Sequence, residues 1–404
     1  MTQSNPPESS GTATEANLSI EGGAAILAPV SAFQGGIPPG ALILLPLKKP
    51  TDELIEKLQQ GPVAVLPEQM WKLLGFNGPA VQIQDAQGRP ITVGLEDLLA
   101  SLDKHYNESP DDLNRGRLYA QELMKYRRHE QAERVMAKVV ASGGTGQDWL
   151  GLGIAQVALS KWDKAESTLK GAQNLMPDNP FPSLHLAKVY KAREDQSLER
   201  QSTEKAISID PNCVEAWAYL FARGRETDGD AAAEAAVQRL SEAEPNKKTA
   251  APFVAVQGVY AANEETRDKA LEWAKRAVER NPEDVLALVS LSALYGQQRD
   301  FKSIIDLLSK HEGKMSRDVR LANNYFEALF QAREMEKVTK LLNALAGSPN
   351  ATVKQFAVER SRAVAQYFQQ QQQALKGVAT TAGATAAPQA RTAPRPPAPS
   401  PRPR

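Results

Sequence analysis

The sequence has very little with which to do covalent or redox chemistry. Cys213 is the only cysteine in 404 residues, so no intrachain disulfide can form. A lone thiol fits a reducing compartment, and cytoplasm is the expected localisation. Histidine is nearly as scarce. His105, His129, His185 and His311 are far apart in sequence, and none has an acidic or cysteine partner at metal-ligand spacing. No metal and no cofactor are expected. Long apolar runs are also missing. Ala24–Val30 and Ala41–Leu47 fall far short of the roughly 18 residues a spanning helix needs, so no membrane insertion is expected. The first residues have neither the basic start nor the continuous apolar core of a secretory signal.

Net charge is absent as well. The 48 basic side chains are matched by 48 acidic ones, which is not the composition of a nucleic-acid polycation, and no nucleic acid is expected as a partner. The ends are less balanced. Residues 1–40 carry Glu8, Glu15 and Glu21 with no Lys or Arg, in a background of Ser, Thr, Gly and Pro. Residues 378–404 carry Arg391, Arg395, Arg402 and Arg404 with no acid, among Ala, Thr and Pro. Neither stretch has enough apolar surface to offset chain entropy, and both are predicted to be disordered tails. Arg391, Pro394 and Pro397 have the spacing of a proline-rich peptide ligand, a pattern that arises easily in such a composition.

What is present is helical periodicity. Residues 41–105 differ from the rest and are expected to form a small α+β module. Thr51 is placed to cap a helix over Asp52–Gln59, Val81–Gln84 and Ile91–Val93 flank a turn, and Leu95–Leu102 has a helical pattern. From residue 106 to 350 one helix follows another. Pro177, Pro211 and Pro245 recur at 34-residue intervals, each followed by an asparagine or aspartate and then a new apolar-periodic helix. Proline cannot continue the preceding helix, and Asn179, Asn212 and Asn246 are suited to cap or turn into the next. Residues 351–377 are expected to form a closing helix.

Units start near Leu113, Gly146, Pro180, Val214, Ala251, Val285 and Val319. The second carries Trp149, Leu152, Gly153, Ala165, Leu169, Ala172 and Pro177; the fourth carries Trp217, Leu220, Ala233 and Pro245. In this register the chain resembles the tetratricopeptide repeat family. The resemblance implies an all-α solenoid of about seven helix–turn–helix units plus a capping helix. Gly153 and Ala165 are expected to let the two helices of a unit approach closely, with Trp149 and Trp217 filling the gap one turn earlier. The interval between the fourth and fifth units is 37 residues, which is read as a longer turn.

The family's function is carried by a groove lined by the first helix of each unit. The resemblance therefore implies a scaffold or adaptor that holds a protein or peptide partner, and not an enzyme. The candidate groove residues are Ile154, His185, Lys188, Lys191, Tyr219, Ala222, Arg225, Val259, Asn323 and Asn324. Ala158, Ala255, Val289, Ala293 and Glu327 are expected beside them. Leu150 and Ile154 in the second unit, with Ala255 and Val259 in the fifth, stand where one subclass grips a C-terminal carboxylate with Lys, Asn and Arg, so that clamp is not expected. An alternative is a non-catalytic subunit of a larger complex with the 41–105 module as its functional head. Gly143, Gly144 and Gly146 are read as a turn, since no Lys-Ser or Lys-Thr follows. Cys213 is read as a small packing residue.

Overall fold

A computed structural model describes residues 19–21, 24–27, 43–44, 64–73, 76–84 and 90–384. The expected helix over Asp52–Gln59 with its Thr51 cap, most of residues 1–40, and the tail after Ala384 lie outside the described residues. Within residues 1–40, β1 (Ser19–Glu21) pairs antiparallel with β2 (Ala24–Leu27), and β2 pairs with β3 (Ile43–Leu44). The strands fall on the few apolar residues of a stretch otherwise composed like a tail. The chain divides into two compact units, residues 1–216 and 217–404.

The first unit opens with an antiparallel sheet. Its order is β4 (Ala64–Val65), β5 (Ala80–Gln84), β6 (Pro90–Gly94), with Val81 opposite Val93 and Ile83 opposite Ile91. Helix α1 (Glu68–Leu73) lies between the first two strands, and α2 (Leu95–Glu108) follows the third. Among the described residues, this module shares its core with the helices that follow. Val81, Val93, Leu98, Leu102 and Tyr106 share one buried cluster with Leu118, Leu123, Val135, Met136 and Leu152 of the helices that follow.

Those helices come in pairs. The first unit contains α3 (Leu113–Lys125) with α4 (His129–Ala141), α5 (Gly146–Ala158) with α6 (Trp162–Leu175), and α7 (Pro180–Ala192) with α8 (Gln196–Ile209). Next come α9 (Val214–Asp228) with α10 (Asp230–Ser241), and α11 (Ala251–Ala261) with α12 (Arg267–Arg280). Helix α13 (Val285–Gln297) is paired with α14 (Phe301–Leu308), which continues through a 3-10 turn into the short α15 (Glu312–Met315). Helices α16 (Val319–Gln331), α17 (Met335–Ala346) and α18 (Ala351–Ala384) complete the second unit. Helix α18 runs past Gly377, where composition alone placed its end.

Short polar side chains start the helices. Asp112, Asn179, Asp195, Asp284, Asp300 and Asp318 each accept a hydrogen bond from a backbone N–H in the first turn, which satisfies donors the helix leaves open. Thr145 and Asp148 form a reciprocal capping box. Asn246 behaves differently. It is buried and donates to the Leu240 carbonyl at 2.9 Å, closing the 3-10 turn Asn246–Lys248 that accounts for the longer interval here.

The turn inside most pairs repeats too. In five of the seven pairs Arg127, Ser160, Glu194, Arg299 and Arg333 have φ between 57° and 61°; the α9–α10 turn uses Gly229 at 83°, one place later, and the α11–α12 turn is instead a 3-10 turn, Glu264–Thr266. A left-handed residue at this step brings the second helix back along the first. Close helix contact within a pair relies on glycine. A Cβ at Gly153 would stand 2.5 Å from Leu169 Cδ2, so the small position expected there is real, with Leu169 across from it. Trp217 is fully buried, as its gap-filling role requires, whereas Trp149 is half-buried.

Candidate functional site

In the first unit the first helices of the pairs are α3, α5 and α7. Between α3 and α5 lies a cleft of about 370 Å³. Its wall is mostly apolar: Ala120, Met124, Met136, Gly151 and Ile154. Methionine suits such a wall because its unbranched thioether adapts to the side chain it meets. Gly151 keeps the cleft open, since a Cβ there would come within 2.9 Å of the Met136 methyl. Thus the structure places Ile154, a groove candidate, in a cavity with partners that periodicity did not single out.

One rim of this cleft is an ion pair. Arg117 donates to both oxygens of Asp148 at 2.8 Å, and Thr145 donates to Asp148 Oδ2 through its backbone N–H at 2.7 Å and its hydroxyl at 2.9 Å. Burial works against ionisation of Asp148, but these donors outweigh it and hold the carboxyl below its usual range. Asp148 is 3% exposed. It therefore serves as cap and strut at once, fixing α3 against α5.

His185 and Lys188 stand one turn apart on α7. Burial, with a contribution from the Lys188 ammonium, holds His185 down at about 4, so the imidazole is neutral at pH 7. Its Nδ1 is buried and has no hydrogen-bond partner among the described residues. Burial also lowers the Lys188 ammonium, which makes no ion pair among the described residues. A half-buried cation without a carboxylate is an incomplete site, because desolvation without a counter-charge is costly. Lys191, one further turn along, is exposed.

In the second unit Tyr219, Ala222 and Arg225 follow at three-residue steps along α9, all half-buried. Arg225 is not available as a loose cation. Its Nε donates to Asp230 at 2.7 Å, and its guanidinium lies over the Tyr260 ring, 4.9 Å from the centroid, and over Phe221 at 5.7 Å. Tyr260 in turn donates to Glu234 and Asp230, and Lys269 covers its ring at 4.9 Å. This network ties α9, α10, α11 and α12 together. Arg225 is thus held within this network.

Val259 is half-buried on α11. A larger cleft, about 640 Å³, opens between α13, α14 and α16. It gathers Ala293, Asn324 and Glu327 with Gln297, Arg299 and Gln331. Asn324 donates to the Ser292 hydroxyl at 2.8 Å, which orients its amide. Asn323 and Glu327 both receive Arg360 of α18, at 3.0 and 3.2 Å. Thus at the C-terminal end the chain's own closing helix occupies two of the positions expected to meet a ligand.

Cys213 is buried, and burial pushes its thiol up to about 11, which suits packing and not nucleophilic work. Among the described residues no cluster of three or more His, Cys, Asp or Glu is placed to hold a metal. No helix among them is long and apolar enough to cross a membrane.

No protein-family profile matches the sequence, and no curated protein matches it. Solved structures do. Yeast Tom70 is 13% identical over 69% of this chain, with a TM-score of 0.36, and the match spans 59% of the Tom70 chain. YrrB, described as a TPR protein with an unusual peptide-binding site, is 21% identical over 47% of this chain and 97% of its own, with a TM-score of 0.30. MamA from Desulfovibrio magneticus RS-1 is 16% identical over 38% of this chain and 88% of its own, with a TM-score of 0.33. The fold assignment rests on the chain's own geometry. A 34-residue register, helices in short-turned pairs and glycine at their closest contacts make this protein an array of tetratricopeptide-type helical hairpins.

Proposed function

We propose that this protein is a non-catalytic scaffold that binds a peptide or an exposed segment of a partner protein along the first helices of its hairpins. The observation that carries the reading is the α3–α5 cleft, an adaptable apolar cavity with Ile154 in its wall, in the same unit as Lys188, which makes no ion pair among the described residues. Such a pairing favours a ligand with an apolar anchor and an acidic flank. Apolar burial supplies most of the affinity, while the charge raises the association rate and weakens with salt. The 41–105 module is better understood as part of the first unit than as a separate head, because its apolar residues share the buried cluster of α3, α4 and α5.

The test is direct. Peptides selected against the full chain from a random library should share an apolar residue near Asp or Glu. Ile154→Glu and Lys188→Glu should each weaken them about tenfold or more with unchanged helix content. Binding unaffected by both Ile154→Glu and Lys188→Glu would remove this face as the site. Arg225→Glu is expected to lower stability as well, through Asp230 and Tyr260, and is a poor probe of binding.

A further inference from the structure

Among the described residues, helix α18 packs on its neighbours along one side only. The first helices α13 and α16 begin at Val285 and Val319, 34 residues apart, and the same step reaches Val353, the first buried residue of α18. One stripe of α18 packs on the preceding pair. Val353 and Ala357 are fully buried, Phe356 and Val364 join the same cluster, and Tyr367 meets the Phe330 ring edge-on at 5.2 Å. The stripe about 100° round the helix is exposed among the described residues.

The open stripe runs Lys354, Val358, Ser361, Ala365, Phe368, Gln372, in alternating steps of four and three that keep one face of a helix in line. Val358 is 42% exposed and Phe368 43%, and both are among the few large apolar side chains left in solvent among the described residues. Ser361 makes no demand on water, because its hydroxyl donates to the Ala357 carbonyl at 2.7 Å.

The stripe is self-complementary. Val358 and Phe368 lie five residues on either side of position 363, and Ser361 and Ala365 lie two on either side. Laid antiparallel on its own copy, the stripe sets Val358 against Phe368 twice and places the small Ser361 and Ala365 at the crossing, where two backbones must come closest. Lys354 falls opposite Gln372, so no like charges meet. Antiparallel is also the direction a second helix takes in each hairpin of this chain. We infer that the open face of α18 is a two-fold dimer contact, in which each copy's α18 covers the other's exposed stripe.

Lys354 to Gln372 spans only about 27 Å of helix, so the contact belongs to the small, concentration-dependent class. Sedimentation velocity on the full chain should show monomer near 1 µM and mostly dimer near 100 µM, roughly the range for an interface of this size. Val358→Glu with Phe368→Glu should abolish the dimer at 100 µM with unchanged helix content. In a Cys213→Ser background, Ser361→Cys mixed with Ala365→Cys should cross-link under mild oxidation, whereas Ala365→Cys alone should not. A chain that stays monomeric at 100 µM overturns the inference. So does a dimer that survives the double glutamate variant, or a cross-link formed by Ala365→Cys alone.

Discussion

Gly171 of α6 lies under the Trp149 ring of α5: a Cβ on that glycine would stand 2.7 Å from the ring carbons Cε3 and Cζ3. No atom fits there unless the indole moves. In an exposed helix Gly→Ala gains up to about 1 kcal/mol, but overpacking costs about 1–3 kcal/mol, so the clash prevails. Gly171→Ala should destabilise the protein by about 1 kcal/mol in urea. In a Trp149→Ala background the same change should stabilise it, and additive effects would show that the contact is absent.

Gly153→Leu and Trp217→Ala test the register in each unit. The first forces a branched side chain against Leu169 and should cost about 1–3 kcal/mol. The second empties a fully buried site and should cost about 3–5 kcal/mol. Unchanged melting of both would mean that the repeat phase is misplaced.

The left-handed turn residues are strained at side chains that contribute nothing to the turn. A non-glycine residue at such φ costs about 1–2 kcal/mol, while glycine's extra freedom in the unfolded chain returns about 0.5–1 kcal/mol of that. Glu194→Gly and Arg333→Gly, at φ 60° and 61°, should therefore each gain about 0.5–1 kcal/mol. A lower midpoint in both would show that their side chains do more than tolerate the turn.

His185 makes stability fall in mild acid. The unfolded chain takes up this proton near the ordinary histidine value of about 6.5, and the folded chain only near 4. Between those values the unfolded state binds more protons, so stability drops as pH falls through the window and levels off below it. The loss by pH 4.5 is about 2 kcal/mol. Glu166, held down at about 2 by Lys170 and its neighbours, adds its own loss only at lower pH, as carboxylates protonate. His185→Phe should flatten the dependence between pH 6.5 and 4.5. A parallel curve for that variant would show that the imidazole is solvated.

Cys213 should be inert while folded. With its thiol pushed up to about 11 from an ordinary value of 9.0, the thiolate fraction falls about 100-fold. Alkylation by iodoacetamide at pH 7.5 should be at least about 100-fold slower in native protein than in urea. Equal rates would reopen a reactive role.

The sequence by itself determined the repeat. Prolines 34 residues apart interrupt helices for a local reason, and Gly153 marks a close helix contact, although the structure sets Leu169 across from it and not the expected Ala165. The hairpin of β5 and β6 was legible for the same kind of reason, alternation about a turn. What the sequence could not show depends on which distant atoms meet. Nothing local distinguishes Arg225, engaged by Asp230 and the Tyr260 ring, from Lys188, which has no ion-pair partner among the described residues. Arg117 and Asp148, 31 residues apart, become one strut only once α3 lies beside α5. The left-handed turns sit on Arg, Ser and Glu, with no glycine to announce them, because the helix pairs impose that φ from both sides. The cleft at Ile154 is likewise tertiary. Met124 and Met136 read as ordinary helix-face residues in sequence, and only the space left between packed helices makes them the wall of a cavity.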